Sequence, residues 1–191
     1  KTMIELSNKE LKKLAAKIKK LGMKVGFQQI GITGIQLAED EKRLQEWLTR
    51  KHHGEMNYMG RHNKKRTHPE KLVPDTLRVI SARMNYWSSE SKNAQEVLDD
   101  QTMAYVSRYA VGRDYHKVMR QRLKMLALAI EELIAGFGYR AFVDSAPVLE
   151  KALARNSGLG WIGKHPNLIH KNAGSWFFLG ELFVNVPLPV D

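Results

Sequence analysis

The chain has 191 residues, enough for one domain with a sizeable core, and it is 43% hydrophobic and 27% charged with four tryptophans. Thirty-one Lys and Arg against twenty Asp and Glu leave a formal net charge of +11, which fits a polyanionic partner such as nucleic acid as well as a merely soluble basic protein. With no cysteine the chain itself has no disulfide, thiol catalysis or cysteine-ligated metal; no apolar run reaches the ~18 residues of a membrane helix, and the polar start lacks a signal-peptide core, so a cytoplasmic, membrane-free protein is expected.

Ser7 and Glu10 form an S-x-x-E capping box, and Leu11, Leu14, Ala15, Ile18 and Leu21 follow at helical spacing, predicting a helix over 7–21 that stops at Gly22. A strand is expected at 25–33 and a helix at 38–50, with Leu44, Trp47 and Leu48 on one side. Residues 51–74 are polar, basic and broken by Gly54, Gly60, Pro69 and Pro74; that length reads as a functional loop with short helical turns. A strand follows at 77–87, then a polar surface excursion at 88–101 and a strand-like run, "TMAYVSRYAV", at 102–111. Asp114 is placed to cap a long amphipathic helix reaching 135, with Val118, Leu123, Leu126, Ala127, Ile130 and Leu133 or Ile134 facing inward. A short strand at 139–144 precedes a helix at 147–156 begun by Pro147. Strands at 167–170 and 175–185 are joined at the hairpin-like turn "KNAG", and Glu181 interrupts the most apolar segment of the chain. The sum is one α+β (mixed α/β) domain over 1–185, a mostly antiparallel sheet flanked by helices. The extended "VPLPVD" at 186–191 reads as the start of a linker.

The stretch "GLGWIGKH" at 158–165 matches G-x-G-x-x-G and nearly matches a P-loop. Both nucleotide readings need a strand before the glycines and a helix after them. Here a helix precedes and an extended run follows, and His165 stands where a P-loop needs Ser or Thr. Gly158 then reads as a helix C-cap, and Gly160 and Gly163 as backbone kept thin for a close neighbour. His52, His53, His62 and His68 match no metal-site spacing, so no metal ligand set is read in this chain. Asp144, at a strand end before a Ser-Ala-Pro turn, either caps the following helix or, partly buried with a raised pKa, donates a proton.

Long blocks of the sequence carry a family resemblance. "SRYAVGRDYHKVMRQRLK", "FVDSAPVLEKALARNSGLGWIGKH" and "GSWFFLGELFVNVPLPVD" closely resemble the epoxyqueuosine reductases, and "GFQQIGIT" and "HGEMNYMGRH" extend the match over nearly the whole chain. The resemblance implies reduction of the epoxide of epoxyqueuosine to queuosine at the tRNA wobble position. It implies a cobalamin cofactor on a scaffold similar to nitroreductases and cobalamin-processing enzymes, and two 4Fe-4S iron–sulfur clusters fed by an electron donor. By the same resemblance Asp144 falls on the family's proton donor, and Arg66, Ser107, Asp144 itself, Leu168 and Leu179 fall on its cofactor-binding positions. Asp114, His116 and Lys164 lie in matched blocks and are assigned to the cofactor or substrate pocket. The family's cluster cysteines follow the P-L-P-x-D segment, so this chain is expected to be the cobalamin-binding part without its iron–sulfur domain, a monomer not competent for turnover alone. Two other readings stand beside it. In one the chain is a tRNA-binding module gripping RNA through residues 61–71 and through Arg120, Arg122 and Lys124. In the other it is a flavin-dependent, nitroreductase-like enzyme.

Overall fold

A computed structural model describes residues 6–191; residues 1–5 of the predicted domain lie outside the described residues. Ser7 caps α1 (Asn8–Lys24) through the full capping box, its side chain accepting from Glu10 while the Glu10 carboxylate accepts from the Ser7 N–H. The apolar stripe of α1 buries Leu14, Ala15 and Ile18. Gly22 does not stop the helix, contrary to expectation. A Cβ there would lie 2.2 Å from Cγ1 of Ile30, so this glycine lets α1 press onto the first strand.

That strand, β1 (Gln29–Thr33), is shorter than the predicted run because 25–28 form the turn out of α1. Next come α2 (Ala38–Thr49) and the basic loop, which holds the short turns α3 (Tyr58–Arg61) and α4 (Pro69–Leu72) as expected. Strand β2 (Arg78–Asn85) and the short α5 (Ala94–Asp99) follow. The strand-like run at 102–111 is not a strand. It is exposed and holds only a 3₁₀ turn at Arg108–Ala110, with Ser107 before it. Strand propensity without a cross-strand partner does not make a strand; here Arg108 instead lies 4.3 Å over the Trp87 ring.

Helix α6 (Tyr115–Glu131) is capped by Asp114, which accepts from the His116 N–H, and buries Met119, Leu123, Leu126, Ala127 and Ile130. Strand β3 (Tyr139–Phe142) leads to α7 (Glu150–Asn156). Helix α7 starts three residues after Pro147, since two tight turns, Ser145 N–H to Val143 C=O and Val148 N–H to Ala146 C=O, occupy the approach. Strands β4 (Trp161–Ile162) and β5 (Leu168–Ile169) pair with each other, and β6 (Phe177–Val184) runs through the sheet centre. The expected hairpin between 167–170 and 175–185 therefore does not form. A His170–Gly174 bridge closes the "KNAG" turn, but β5 turns back onto "GLGWIGKH" instead.

The main sheet is four-stranded and antiparallel, in the order β1-β2-β6-β3. One face packs Ile30, Ile32, Ile80, Ala82, Leu182 and Val184 against α1 and α6. The other packs Val79, Phe142 and Phe183 against Ala152 and Leu153 of α7. This is the expected α+β architecture. Residues 186–191, read as the start of a linker, lie on the core. Val186 and Leu188 are buried, and the Asp191 carboxylate accepts from the Ile32 N–H of edge strand β1 and pairs with Lys19. No helix among the described residues is long and apolar enough to cross a membrane.

Candidate active site

The C-terminal end of β3 and the N-terminal end of α6 meet at Asp144. Its backbone lies in the left-handed region, at φ +59°, a conformation that Asp tolerates better than most residues. The twist swings the carboxylate out of line with β3 and over the first turn of α6. There Asp144 Oδ2 accepts from the Tyr115 hydroxyl at 2.9 Å and lies 3.3 Å from His116 Nε2. The other ring nitrogen of His116 lies 3.0 Å from Asp114 Oδ1, so the imidazole bridges two carboxylates. Asp144 does not cap α7, whose N-cap is Leu149. Nor is it partly buried: its side chain is 59% exposed.

The neighbours of Asp144 divide the protons between them. The hydrogen bond from His116 holds Asp114 below the ordinary carboxylate range, so Asp114 stays ionised. Tyr115 is pushed up to about 12, first by burial and then by its bond to Asp144, so it acts as a fixed donor. Its ring lies parallel to that of Phe178 with centroids 4.0 Å apart, which locks the hydroxyl in place.

Two cavities meet at this carboxylate. The larger, about 640 Å³, runs between the basic loop and the turn before α7; Arg66, Tyr58, Asp144, Pro147, Leu149 and Ile162 line it. The smaller, about 210 Å³, is lined by Tyr115, Asp144, Leu168, Phe178 and Leu179 among others. Asp144, Glu150 and Lys151 belong to both walls. Arg66 is 9% exposed and donates to the carbonyls of Met59 and Tyr58, which fixes its guanidinium at the larger cavity.

Of the residues singled out in the sequence, the fold therefore gathers Asp144, Asp114, His116, Arg66, Leu168 and Leu179. Ser107 and Lys164 are exposed and line neither cavity. Gly160 and Gly163 serve the β4–β5 hairpin rather than a ligand, since a Cβ on Gly160 would lie 2.1 Å from the Ile169 carbonyl oxygen. Gly158 is the expected helix end, at φ +74° with its N–H on Arg155 C=O. Three residues escaped the sequence reading: Tyr115, Glu150 and Glu181. Glu181 is fully buried on β6, and burial holds its carboxyl well above the ordinary range. Glu150, half-buried beside Asp144, is raised to about 7 by loss of solvent and then by the Asp144 charge. The acid that breaks the apolar run 176–186 was the one available signal.

Comparison with known proteins agrees with this fold. The family "Epoxyqueuosine reductase QueG, DUF1730" matches residues 66–145. Epoxyqueuosine reductases of Xanthomonas campestris and Pseudomonas aeruginosa are 55% and 56% identical over 93% and 97% of this chain, and 50% and 51% of their own. The solved epoxyqueuosine reductase from Streptococcus thermophilus is 27% identical, with a TM-score of 0.76 over 93% of this chain and 47% of its own. A structure of epoxyqueuosine reductase with an epoxyqueuosine-modified tRNA-Tyr stem loop has the same fold, at 21% identity and a TM-score of 0.76 over 94% of this chain and 47% of its own. A reductive dehalogenase described as B12-dependent shares the fold more distantly, at 14% identity and a TM-score of 0.59 over 100% of this chain and 22% of its own. The chain spans about half the length of the curated relatives it matches. Over that span, it belongs to the epoxyqueuosine reductase family.

Proposed function

We propose that this chain is the cobalamin-binding catalytic part of an enzyme that reduces the epoxide of epoxyqueuosine in tRNA to the alkene of queuosine, with Asp144 as proton donor. The observation that carries the reading is the placement of Asp144, exposed between two cavities and held by Tyr115 and His116. The reaction consumes two electrons and two protons; both C–O bonds break, a C=C bond forms and the oxygen leaves as water. A group that loses an alkoxide oxygen needs an acid at that oxygen, and a solvent-facing carboxyl coupled to an imidazole can reload after each turnover.

The residues present fit a large flat cofactor. The larger cavity has an apolar wall of Ala146, Pro147, Val148 and Leu149 with one fixed guanidinium, Arg66, and Leu168 and Leu179 give the smaller cavity an apolar floor. Cobalamin, when bound, supplies the reducing electrons. His116 is not among the residues that would hold it, because both ring nitrogens already face carboxylates. The reductive dehalogenase named for B12-dependent chemistry supports the cofactor by its shared fold, and the stem-loop complex of a relative supports tRNA as substrate. Thiolates are absent here, so we assign the two 4Fe-4S clusters, and the domain that would follow 186–191, to sequence outside these 191 residues.

The test is Asp144→Asn in the full-length, cofactor-loaded enzyme. Loss of epoxide reduction by at least about a hundredfold, with the corrinoid spectrum and tRNA binding unchanged, is expected. Retained turnover would remove Asp144 from the mechanism.

A further inference from the structure

We propose that Glu150 and Glu181 form a carboxyl pair that stores a proton behind Asp144 and supplies the second proton consumed in epoxide reduction. The inference rests on the reaction assigned above. Reduction of the epoxide delivers two protons to one oxygen, and Asp144 holds one acidic site, so a second proton has to be delivered through it or beside it.

The geometry singles out these two side chains. Glu181 sits on β6 opposite Ser81 of β2 and Phe142 of β3, which places it on the face covered by α7. It is fully buried, and neither carboxylate oxygen has a hydrogen-bond partner among the described residues. Glu150 begins α7 above it, lines both cavities beside Asp144, and faces the Asp144 backbone N–H. The chain thus runs from an interior acid, through an intermediate one, to an acid at the surface.

No nearby cation bonds either carboxyl among the described residues, although the Lys151 charge opposes the rise of Glu150. Lys151 adjoins Glu150, but its ammonium donates to Pro166 C=O and Asn167 Oδ1. Arg83 lies on the same face of β2 as Ser81, yet its guanidinium turns to Asn85 Oδ1 and the Phe177 ring. Tyr115 stays protonated and points at Asp144. Glu181, a buried carboxyl with no cation or donor among the described residues, is neutralised by its own proton. The directions agree: burial and Glu150 raise Glu181, and burial and Asp144 raise Glu150 to about 7. At neutral pH the inner acid is loaded and the middle one is poised to pass a proton in either direction. After turnover the pair reloads through Asp144 from solvent.

Infrared difference spectroscopy on the full chain, without cofactor or substrate, reads the store directly. A protonated-carboxyl band that persists above about pH 6 and disappears in Glu181→Gln is expected, together with a band titrating near neutrality that disappears in Glu150→Gln. Gln is isosteric with the neutral acid, and near-UV circular dichroism verifies that each variant is folded. Absence of protonated carboxyl above that pH overturns the pair. In the loaded full-length enzyme, Glu150→Gln is expected to slow single-turnover reduction about tenfold or more and to remove the limb of the pH profile near 7, with Glu150→Asp recovering part of both. An unchanged rate and profile overturns the proton store while the reductase reading stands. A wild-type enzyme that reduces no epoxide overturns both.

Discussion

Asp144 combines a reactive position with an unfavourable backbone. The left-handed region costs an L-residue about 1–2 kcal/mol, and the carboxylate recovers part of this through Tyr115 and His116. Two substitutions separate backbone from side chain. Asp144→Ala and Asp144→Gly both lose the hydrogen bonds, but only glycine relieves the strain. Urea unfolding is expected to show the Gly variant more stable than the Ala variant by about 1 kcal/mol; equal stabilities would mean the turn relaxes without cost. At this scale the sequence was informative where the signal is local. Asp114 as a cap, His116 beside it and Asp144 at a strand end all sit within single short segments. Tyr115 was not legible because its role depends on Phe178, which reaches it only through β6. Glu150 and Glu181 were hidden for the same reason. The burial of Glu181 and the partial burial of Glu150 are set by the β2-β6-β3 register and by α7 lying across it.

The elements show the same division between local and non-local information. Helical periodicity placed α1 and α6 to within a few residues, and long apolar runs placed β2 and β6. The pairing of β4 with β5 was not legible, since two-residue strands carry no periodicity. Their hairpin depends on Gly160, at φ +156° and against the Ile169 carbonyl. Gly160→Ala is therefore expected to cost more than about 2 kcal/mol and to loosen the floor at Leu168, read by urea unfolding and by protease cutting at 158–170. A change below about 0.5 kcal/mol would show that the hairpin is not held at this point.

Helix α7 carries a pH-dependent term. Glu150 has an ordinary value of 4.5 and is raised to about 7 in the folded chain. The folded state then binds more protons than the unfolded state between these values, so stability is full below the lower value and falls as pH rises through the upper one. The loss is on the order of 3 kcal/mol, and Glu181 acts in the same direction. Urea unfolding at pH values from about 4.5 to about 8 is expected to show this decline in the wild type and a flatter profile in Glu150→Gln, with the variant the more stable at the alkaline end. A wild-type profile that rises with pH over this window would contradict the assignment.

For the whole molecule, a formal charge of +11 overstates what an RNA can use. Arg122 donates to the Gly26 carbonyl, Arg155 pairs with Asp40, and Arg66 and Arg83 are buried. Arg122, which the tRNA-binding-module reading offered as an RNA contact, belongs to the fold. The basic loop is different: Arg61, Lys64 and Lys65 are exposed at the edge of the segment that lines the larger cavity. Phosphate contacts release counterions, and each one contributes about −0.7 to the slope of log K against log salt for single-stranded RNA. Replacing Arg61, Lys64 and Lys65 together by Gln is therefore expected to make the slope for an anticodon stem-loop shallower by about two. The fold should be unaffected, because none of the three side chains makes a hydrogen bond among the described residues. Arg122→Gln should do the reverse, lowering stability while leaving the slope unchanged. Fluorescence anisotropy across a salt series measures both. An unchanged slope in the triple variant would move the RNA contact away from this loop, whereas a shallower slope in Arg122→Gln would return that residue to the interface.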